Sequence, residues 1–259
     1  MSLFRQISCS TKLAWTIAFG IVEVVIKRPH TRPERAAWIS GVCKRLLRRL
    51  DFQVITHGTV PMSGSVVSNH LSYIDIMVHS SIRPCVFVSK AELRQQPIIG
   101  WMSMMAGTVY VERGAGGSAS KAAEGMAKGF RDRLPVTFFP EGTTFVGDEP
   151  AMPFRSGLIA ETMAAGEPLT PSFLRYELAA QDIARGKTVR DDVAWGPQGL
   201  IGHLWNVMGL HGMRIHVHFA EHPVTFSAAA VADRKIAAEE TRQAVLAVYD
   251  QSVSADRQG

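Results

Sequence analysis

Beyond residue 50, short runs rich in β-branched and aromatic residues alternate with longer runs of helical periodicity, and this alternation restricts the fold more than any other feature. Such alternation is typical of an α/β fold, because helices then connect the strands of a sheet and cover it. The sequence therefore predicts a single mixed sheet covered by helices. The predicted strands are residues 53–56, 66–68, 85–88, 108–112, 136–139, 169–174 and 215–219. The predicted helices are residues 73–81, 118–131, 157–165 and 228–250, with a long surface loop at residues 182–202.

Length and charge divide the chain into two regions. Its 259 residues, 46% of them hydrophobic, are enough for one sizeable core with a short appendage. Residues 1–50 carry ten Lys or Arg against two Glu, a net charge of +8, whereas the remainder carries −3. A basic block of this kind binds nucleic acid or an anionic membrane. We therefore predict an N-terminal region, residues 1–50, and a main domain, residues 51–259.

The apolar content of the N-terminal region favours a membrane over nucleic acid. Residues 13–26 are apolar except for Thr16 and Glu23, a run of 14 residues. Because a spanning helix needs about 20 apolar residues, this run is too short to cross a bilayer. On a helical wheel, residues 33–50 form a basic amphipathic helix of the type that lies among lipid headgroups. We predict that residues 1–50 form helices that bind an anionic membrane surface without crossing it.

Two other interpretations of these fifty residues stay open. An ordinary surface helix packed on the core has the same amphipathic pattern as residues 33–50. A secretory signal peptide would need a small-residue cleavage site after the apolar run, and Lys27, Arg28 and Pro29 follow instead.

Three widely spaced cysteines without a C-x-x-C pair indicate a reducing compartment. The expected location is therefore the cytoplasmic face of the inner membrane, peripheral or monotopic.

A histidine and an aspartate follow the predicted strand 66–68 at a spacing that suits acid–base chemistry. His70 is the usual type of general base near neutral pH, and the Asp75 carboxylate would fix its tautomer. Five residues along a regular helix separate two side chains by about 140°, so His70 must lie in the turn before the helix that holds Asp75. Asn69 immediately precedes this pair.

Two further segments place polar groups at predicted strand ends. Residues 139–144 read Phe-Pro-Glu-Gly-Thr-Thr and follow the strand 136–139. They put the Glu141 carboxylate at the sheet edge, with Gly142 allowing close approach of a ligand to the backbone. Residues 107–113 run from Gly107 to Arg113, whose guanidinium is able to bind an anion bidentately.

Taken in order, these motifs resemble those of the glycerolipid acyltransferases, the family of 1-acyl-glycerol-3-phosphate acyltransferase. The family's Asn-His-x4-Asp block is matched by Asn69, His70 and Asp75, and its Phe-Pro-Glu-Gly-Thr block by residues 139–143. The other matches are Gly107, Tyr110 and Arg113 for a strand that ends in arginine, and residues 154–157 for Phe-Lys-x-Gly, with Arg155 in place of lysine. The resemblance covers roughly residues 60–175.

This resemblance implies an O-acyltransferase that moves a fatty acyl group from acyl-CoA or acyl carrier protein to the free hydroxyl of a lysolipid. His70 and Asp75 are the implied catalytic pair, and donors near the Asn69–His70 turn would stabilise the oxyanion. No cofactor and no metal are implied. The implied substrate-binding residues are Asn69, Arg113, Glu141, Gly142, Thr143 and Arg155.

The preferred acceptor is 1-acyl-sn-glycerol-3-phosphate, and one departure from the family pattern keeps an alternative open. Many members specific for that lipid continue Glu-Gly-Thr with arginine, whereas this chain has Thr144. Similar sequences with this variation and a later Trp-Gly segment, here Trp195 and Gly196, look like lyso-ornithine lipid O-acyltransferases.

Other classes of protein fit the sequence less well. A serine hydrolase of the common type would need G-x-S-x-G, which is missing. Metal chemistry through His211, His216 and His218 would need a fourth ligand, and none is evident. A non-catalytic lipid-binding module remains an alternative, and a thioester-release assay separates it from an enzyme.

Overall fold

The computed structural model describes residues 3–95, 99–111, 118–147, 149–196 and 199–256. The strands are β1 (Gln53–His57), β2 (Ser65–Ser68), β3 (Val86–Lys90), β4 (Val109–Val111), β5 (Val136–Phe138), β6 (Leu169–Glu177) and β7 (Arg214–Phe219). The first six helices are α1 (Leu3–Lys27), α2 (Arg32–Arg49), α3 (Ile74–Ile82), α4 (Ile99–Met105), α5 (Ser118–Arg131) and α6 (Gly157–Ala164). The others are α7 (Ala180–Ile183), α8 (Val189–Asp192), α9 (Leu200–Val207), α10 (Ala228–Ala232) and α11 (Arg234–Asp256), and Ala91–Gln95 forms a 3₁₀ turn.

The seven strands form one sheet in the order β1-β7-β6-β2-β5-β3-β4. Strands β6, β2, β5, β3 and β4 run parallel, β7 is antiparallel to β6, and β1 is parallel to β7. This confirms the predicted single mixed sheet. Because β2, β5 and β3 are parallel neighbours, their carboxyl ends lie at one edge of the sheet, where ligands of α/β proteins bind.

Helices cover both faces of this sheet. Val66 and Val67 are neighbours on β2 and fully buried, yet they belong to different hydrophobic clusters, as alternation along a strand requires. The cluster around Val66 includes residues of α1, α2 and α3, and the cluster around Val67 includes residues of α5, α6 and α11. The predicted covering by helices is thus confirmed.

The two N-terminal helices pack on the main domain, and they bury different amounts of apolar surface. The apolar half of α2 is buried against the core, including Trp38, Val42 and Leu47, so this half faces protein. In α1, only 17% of the most apolar 18-residue stretch is buried inside the protein. Its exposed apolar side chains are Leu3, Phe4, Ile7, Trp15, Phe19, Ile21, Val22, Val25 and Ile26.

Helix α1 is longer than the predicted apolar run. It spans 25 residues from Leu3 to Lys27 and is long and apolar enough to cross a membrane by length and composition. The predicted apolar run begins only at residue 13, because the residues at 8, 10, 11 and 12 are polar. These side chains do not break the helix, since the hydroxyls of Ser10 and Thr11 bond to carbonyls one turn back.

Two other predicted segments differ from the structure. The predicted loop 182–202 contains α8 and the beginning of α9, and Thr188 caps α8 by accepting a hydrogen bond from the amide of Asp191. Helices this short carry too few residues for a periodic pattern to show. The predicted helix 228–250 is divided at Asp233, whose backbone is extended, and continues to Asp256.

Candidate active site

The carboxylate of Asp75 organises the turn between β2 and α3. Its Oδ2 lies 2.8 Å from His70 Nδ1 and accepts hydrogen bonds from the amides of Leu71 (2.7 Å) and Ser72 (2.9 Å). Its Oδ1 accepts a hydrogen bond from the hydroxyl of Tyr176 on β6. Asp75 is fully buried, so protein donors replace water around its charge. The structure thus brings together the His70–Asp75 pair that the sequence predicted.

The imidazole of His70 is held on two sides. Asp75 binds Nδ1, and the ring of Phe139 stacks against the imidazole with centroids 4.1 Å apart and planes 10° apart. With the Nδ1 proton donated to the carboxylate, Nε2 carries the lone pair and is the basic nitrogen. This is the arrangement that a general base requires.

Asn69 attaches this turn to the neighbouring strand β6. Its Oδ1 accepts a hydrogen bond from the amide of Leu174 (2.8 Å), and its Nδ2 donates to the carbonyl of Leu174 (3.0 Å). Because Asn69 is fully buried and its amide is engaged in this way, its geometry favours positioning of His70 over contact with substrate.

Glu141, in the segment that follows β5, supports the same turn. Its Oε1 accepts a hydrogen bond from the backbone amide of His70 (3.0 Å), and only 3% of the residue is exposed. Burial raises the pKa of the Glu141 carboxyl to about 8, although the amides of His70 and Met152 favour its ionised form. The carboxyl therefore lies beneath the turn that holds His70, and burial favours its protonated form.

A cleft opens beside His70 at the carboxyl edge of the sheet. Its walls include Phe87, Ser89 and Lys90 from β3 and the 139–144 segment, of which Gly142, Thr143 and Thr144 face the opening. Gly142 has a φ of +70°, a conformation that a residue with a Cβ rarely adopts. The predicted residues Gly142 and Thr143 thus lie within reach of a molecule bound at His70.

The two predicted arginines do not contribute described contacts to this cleft. Arg113 lies outside the described residues. Arg155 is exposed, and its amide donates to the carbonyl of Pro140, while its side chain is not part of the cleft wall. Among the described residues, Lys90 is the cationic side chain that lines the opening.

Comparisons with known proteins agree with this geometry. A family model described as Acyltransferase matches residues 54–175. The chain is 32% identical over 188 residues to the lyso-ornithine lipid O-acyltransferase of Pseudomonas aeruginosa. This match covers 71% of this chain and 67% of that protein. The chain belongs to the glycerolipid acyltransferase family.

Further relatives of this acyltransferase are named for the other acceptor, 1-acyl-sn-glycerol-3-phosphate. It is 29% identical over 154 residues to the 1-acyl-sn-glycerol-3-phosphate acyltransferase of Neisseria meningitidis, a match that spans 60% of this chain and 58% of that protein. The crystal structure of the 1-acyl-sn-glycerophosphate acyltransferase of Thermotoga maritima superposes with a TM-score of 0.67 over 96% of this chain and 95% of that one. At 18% sequence identity, the latter match shows that the fold is shared.

Several residues at the acyltransferase site were missed by sequence analysis. Tyr176 binds Asp75 from a strand about a hundred residues away, a pairing that no local pattern signals. The sequence indicates Trp195 only as part of a Trp-Gly segment. Its ring forms part of the cleft wall, packed edge-on against Tyr73 at 5.7 Å between centroids, and its amide donates to the carbonyl of Leu71.

The expected oxyanion donors near the Asn69–His70 turn are already engaged. The amide of His70 binds Glu141, and the amides of Leu71 and Ser72 bind Asp75. Thr143 and Thr144, which line the cleft, carry hydroxyls that are the remaining candidates.

The raised pKa of Glu141 predicts a specific pH dependence of stability. Between the ordinary pKa of 4.5 and the folded pKa of about 8, the folded acyltransferase holds a proton that the unfolded chain releases. The contribution of Glu141 to the free energy of unfolding is complete below pH 4.5 and is lost as the pH rises through 8. The free energy of unfolding falls by at most about 1.4 kcal/mol per pH unit from this one group. Glu141→Gln, which keeps an acceptor for the His70 amide, should flatten this slope in denaturant unfolding at pH 5.5–8.5.

The matched control for this experiment is Glu149→Gln, since the Glu149 side chain is 71% exposed. We expect that variant to retain the slope of the parent chain. Equal slopes in the Glu141→Gln variant and the parent would show that Glu141 is ionised in the folded protein.

Proposed function

We propose that this protein transfers a fatty acyl group from the thioester of acyl-CoA or acyl carrier protein to the free hydroxyl of a lysolipid. The observation that carries the proposal is the contact between His70 and the buried Asp75 at the edge of a cleft formed by two of the family's motifs. The names of the relatives support a lysolipid acceptor. No cofactor is needed for this reaction, because the thioester is itself the activated donor.

The reaction follows from the orientation of His70. Its Nε2 removes the proton of the acceptor hydroxyl as the oxygen attacks the thioester carbonyl, and Asp75 stabilises the imidazolium that forms. The tetrahedral intermediate carries its negative charge on the carbonyl oxygen, for which the Thr143 and Thr144 hydroxyls are the proposed donors. When the C–S bond breaks, the imidazolium returns its proton to the thiolate, leaving an ester and a free thiol.

The proposed acceptor is 1-acyl-sn-glycerol-3-phosphate, which this reaction converts to phosphatidate. Lys90, the last residue of β3, lines the cleft, and its positive charge is the proposed attraction for a phosphate. Gly142 lines the cleft and has no Cβ, which leaves room for the same group beside the backbone, although the Gly142 amide already donates to the carbonyl of Phe139. Arg113, which follows the neighbouring strand β4, is the proposed second cation.

A specific observation favours lyso-ornithine lipid as the second candidate. A phosphate is best held by a bidentate arginine, and within the described part of the chain no arginine lines the cleft. Thr144 and Trp195 occupy the cleft wall instead. The zwitterionic ornithine headgroup needs only one cation for its carboxylate, and several relatives are named for that lipid.

Removing the catalytic base tests the mechanism. His70→Ala should lower kcat by about 10²–10⁴-fold, the usual contribution of a general base, while the protein remains folded. The measurement is thiol release from acyl-CoA with and without lysolipid, with circular dichroism as the test of folding. His30→Ala, a change at an exposed histidine before α2, is the matched control and should retain full activity. Near-normal turnover of His70→Ala would refute general-base catalysis by this residue.

A direct comparison of acceptors separates the two candidate substrates. If lysophosphatidate is the acceptor, Lys90→Ala and Arg113→Ala should each raise its KM by about tenfold or more, since a hydrogen bond to a charged group is worth about 1.5–3 kcal/mol. Glycerol phosphate should then compete with the lipid. Faster acylation of lyso-ornithine lipid, with no inhibition by glycerol phosphate, would establish the second candidate.

We further propose that α1 holds the enzyme on an anionic membrane without crossing it. Polar contacts hold both ends of α1, since Arg5 donates to the carbonyl of Leu210 in the main domain and Arg45 of α2 pairs with Glu23. A helix attached along its length in this way presents one side to lipid. Beside its exposed apolar face, the exposed basic residues are Lys12, Lys27, Arg28, Lys44 and Arg48.

Vesicle binding tests this arrangement. Each basic group near an anionic surface adds about 1 kcal/mol, so binding should rise with the fraction of anionic lipid and fall with added salt. The double variant Trp15→Asp, Phe19→Asp should lose most of the binding, because both rings are exposed on α1. Val231→Asp, which changes an exposed valine on α10, is the matched control and should bind normally. Equal binding to neutral and anionic vesicles would contradict the electrostatic part of the proposal.

A further inference from the structure

Three histidines form a cluster on the face of the sheet opposite the catalytic pair. His57 is the last residue of β1, and His216 and His218 lie on β7, with their ligand atoms all within 4.8 Å of one another. His57 and His218 are opposite each other in the parallel pair, and His216 is two residues earlier on the same face. Tyr176, which binds Asp75, is paired with Ile215 and therefore faces the other side.

This cluster differs from the histidine set considered in the sequence. His211 lies elsewhere, because its ring Nδ1 and its amide both bind the Asp182 carboxylate, at 3.0 and 2.6 Å. His57 takes its place beside His216 and His218. Only the pairing of β1 with β7 brings it there, since about 160 residues separate these strands in sequence.

The spacing of two of these rings matches a metal site. His57 Nε2 lies 3.0 Å from His216 Nδ1, a distance at which the two rings share one proton. Two nitrogen ligands at 2.0–2.1 Å from a tetrahedral ion are about 3.3 Å apart, so an ion in place of the proton needs only a small displacement. The His218 ring stacks on His57 with centroids 4.1 Å apart and planes 4° apart, and its ligand nitrogen lies within 4.8 Å of the other two. Rotation of the His218 side chain is therefore needed to direct this third nitrogen at the ion.

A carboxylate already orients the central histidine. Glu177 Oε2 lies 3.2 Å from His216 Nε2, while Glu177 Oε1 pairs with Arg214. A metal-bound histidine characteristically donates its other ring nitrogen to a carboxylate in this way, which fixes the tautomer that leaves Nδ1 for the metal. Arg175 and Arg214 lie beside the cluster and oppose a cation, so the neutral imidazoles must supply the affinity.

We propose that His57, His216 and His218 bind a divalent transition-metal ion, with Zn²⁺ as the first choice and water completing the coordination. Imidazole ligands suit zinc, nickel and copper, whereas magnesium and calcium require oxygen ligands. Within the described residues, strand β1 is at the edge of the sheet and pairs with β7 alone. The ion therefore joins this edge strand to its neighbour, and it takes no part in acyl transfer at His70.

The test uses the full-length protein without a histidine tag, purified in detergent and freed of metal with EDTA. Titration with Co²⁺ should give the intense visible absorption of a four-coordinate ion, saturating at one equivalent, and Zn²⁺ should displace it. Adding Zn²⁺ to the metal-free protein should raise its Tm, because a ligand that binds only the folded state stabilises that state.

Substitutions locate the ion. His57→Gln, His216→Gln and His218→Gln should each abolish the stoichiometric cobalt spectrum, and Glu177→Gln should weaken binding by about 10- to 100-fold. His222→Gln, which changes an exposed histidine outside the cluster, is the matched control and should leave the spectrum unchanged. The proposal fails if the parent chain binds no equivalent of Co²⁺ or Zn²⁺, or if binding persists in the His216→Gln variant.

This outcome is independent of the proposed acyl transfer. Thiol release by the EDTA-treated protein should equal that of the zinc-loaded protein at a temperature where both are folded. A loss of acylation on metal removal would overturn the assignment of the ion to a structural role.

Discussion

The buried carboxylate of Asp75 accepts hydrogen bonds from the His70 ring, two backbone amides and the hydroxyl of Tyr176. Hydrogen bonds to a charged group contribute about 1.5–3 kcal/mol each, and a buried charge that loses its partners costs more than any one of them. The start of α3 and the middle of the sheet are therefore held in one arrangement. The direction of the imidazole follows from that arrangement, because the ring is attached to the same carboxylate.

Two buried side chains tie the turn that holds His70 to the segments beside it. Asn69 pairs with both backbone groups of Leu174, and Glu141 accepts the amide of His70. Residues that belong to the most specific motifs thus support His70 from behind, and the cleft is left to Gly142, the threonines and Lys90. A turn anchored at both sides suits a base that must not move during proton transfer.

The two N-terminal helices differ in what their apolar surfaces contact. The apolar half of α2 packs into the core, while α1 packs on α2 and leaves most of its own apolar surface exposed. Part of the basic excess of the first fifty residues attaches α1 to α2, as in the pairs of Arg45 with Glu23 and Arg49 with Thr16. Both helices contribute to the same hydrophobic core as the sheet. The boundary proposed at residue 50 therefore separates two proposed roles and does not separate two cores.

The sequence by itself determined the α/β class, all seven strands and the His70–Asp75 pair, because strand periodicity and a five-residue turn are local properties. Sequence analysis also identified the family, because its motifs are contiguous. Only the tertiary structure decided that α2 faces protein and α1 faces outward, since an amphipathic pattern does not say what its apolar half contacts. The tertiary structure also decided three contacts or environments: the hydrogen bond from Tyr176 to Asp75, the burial that raises the pKa of Glu141, and the pairing that brings His57 beside β7. Each depends on strands that pair across a large separation in sequence, and such pairing is set by the packing of the whole sheet.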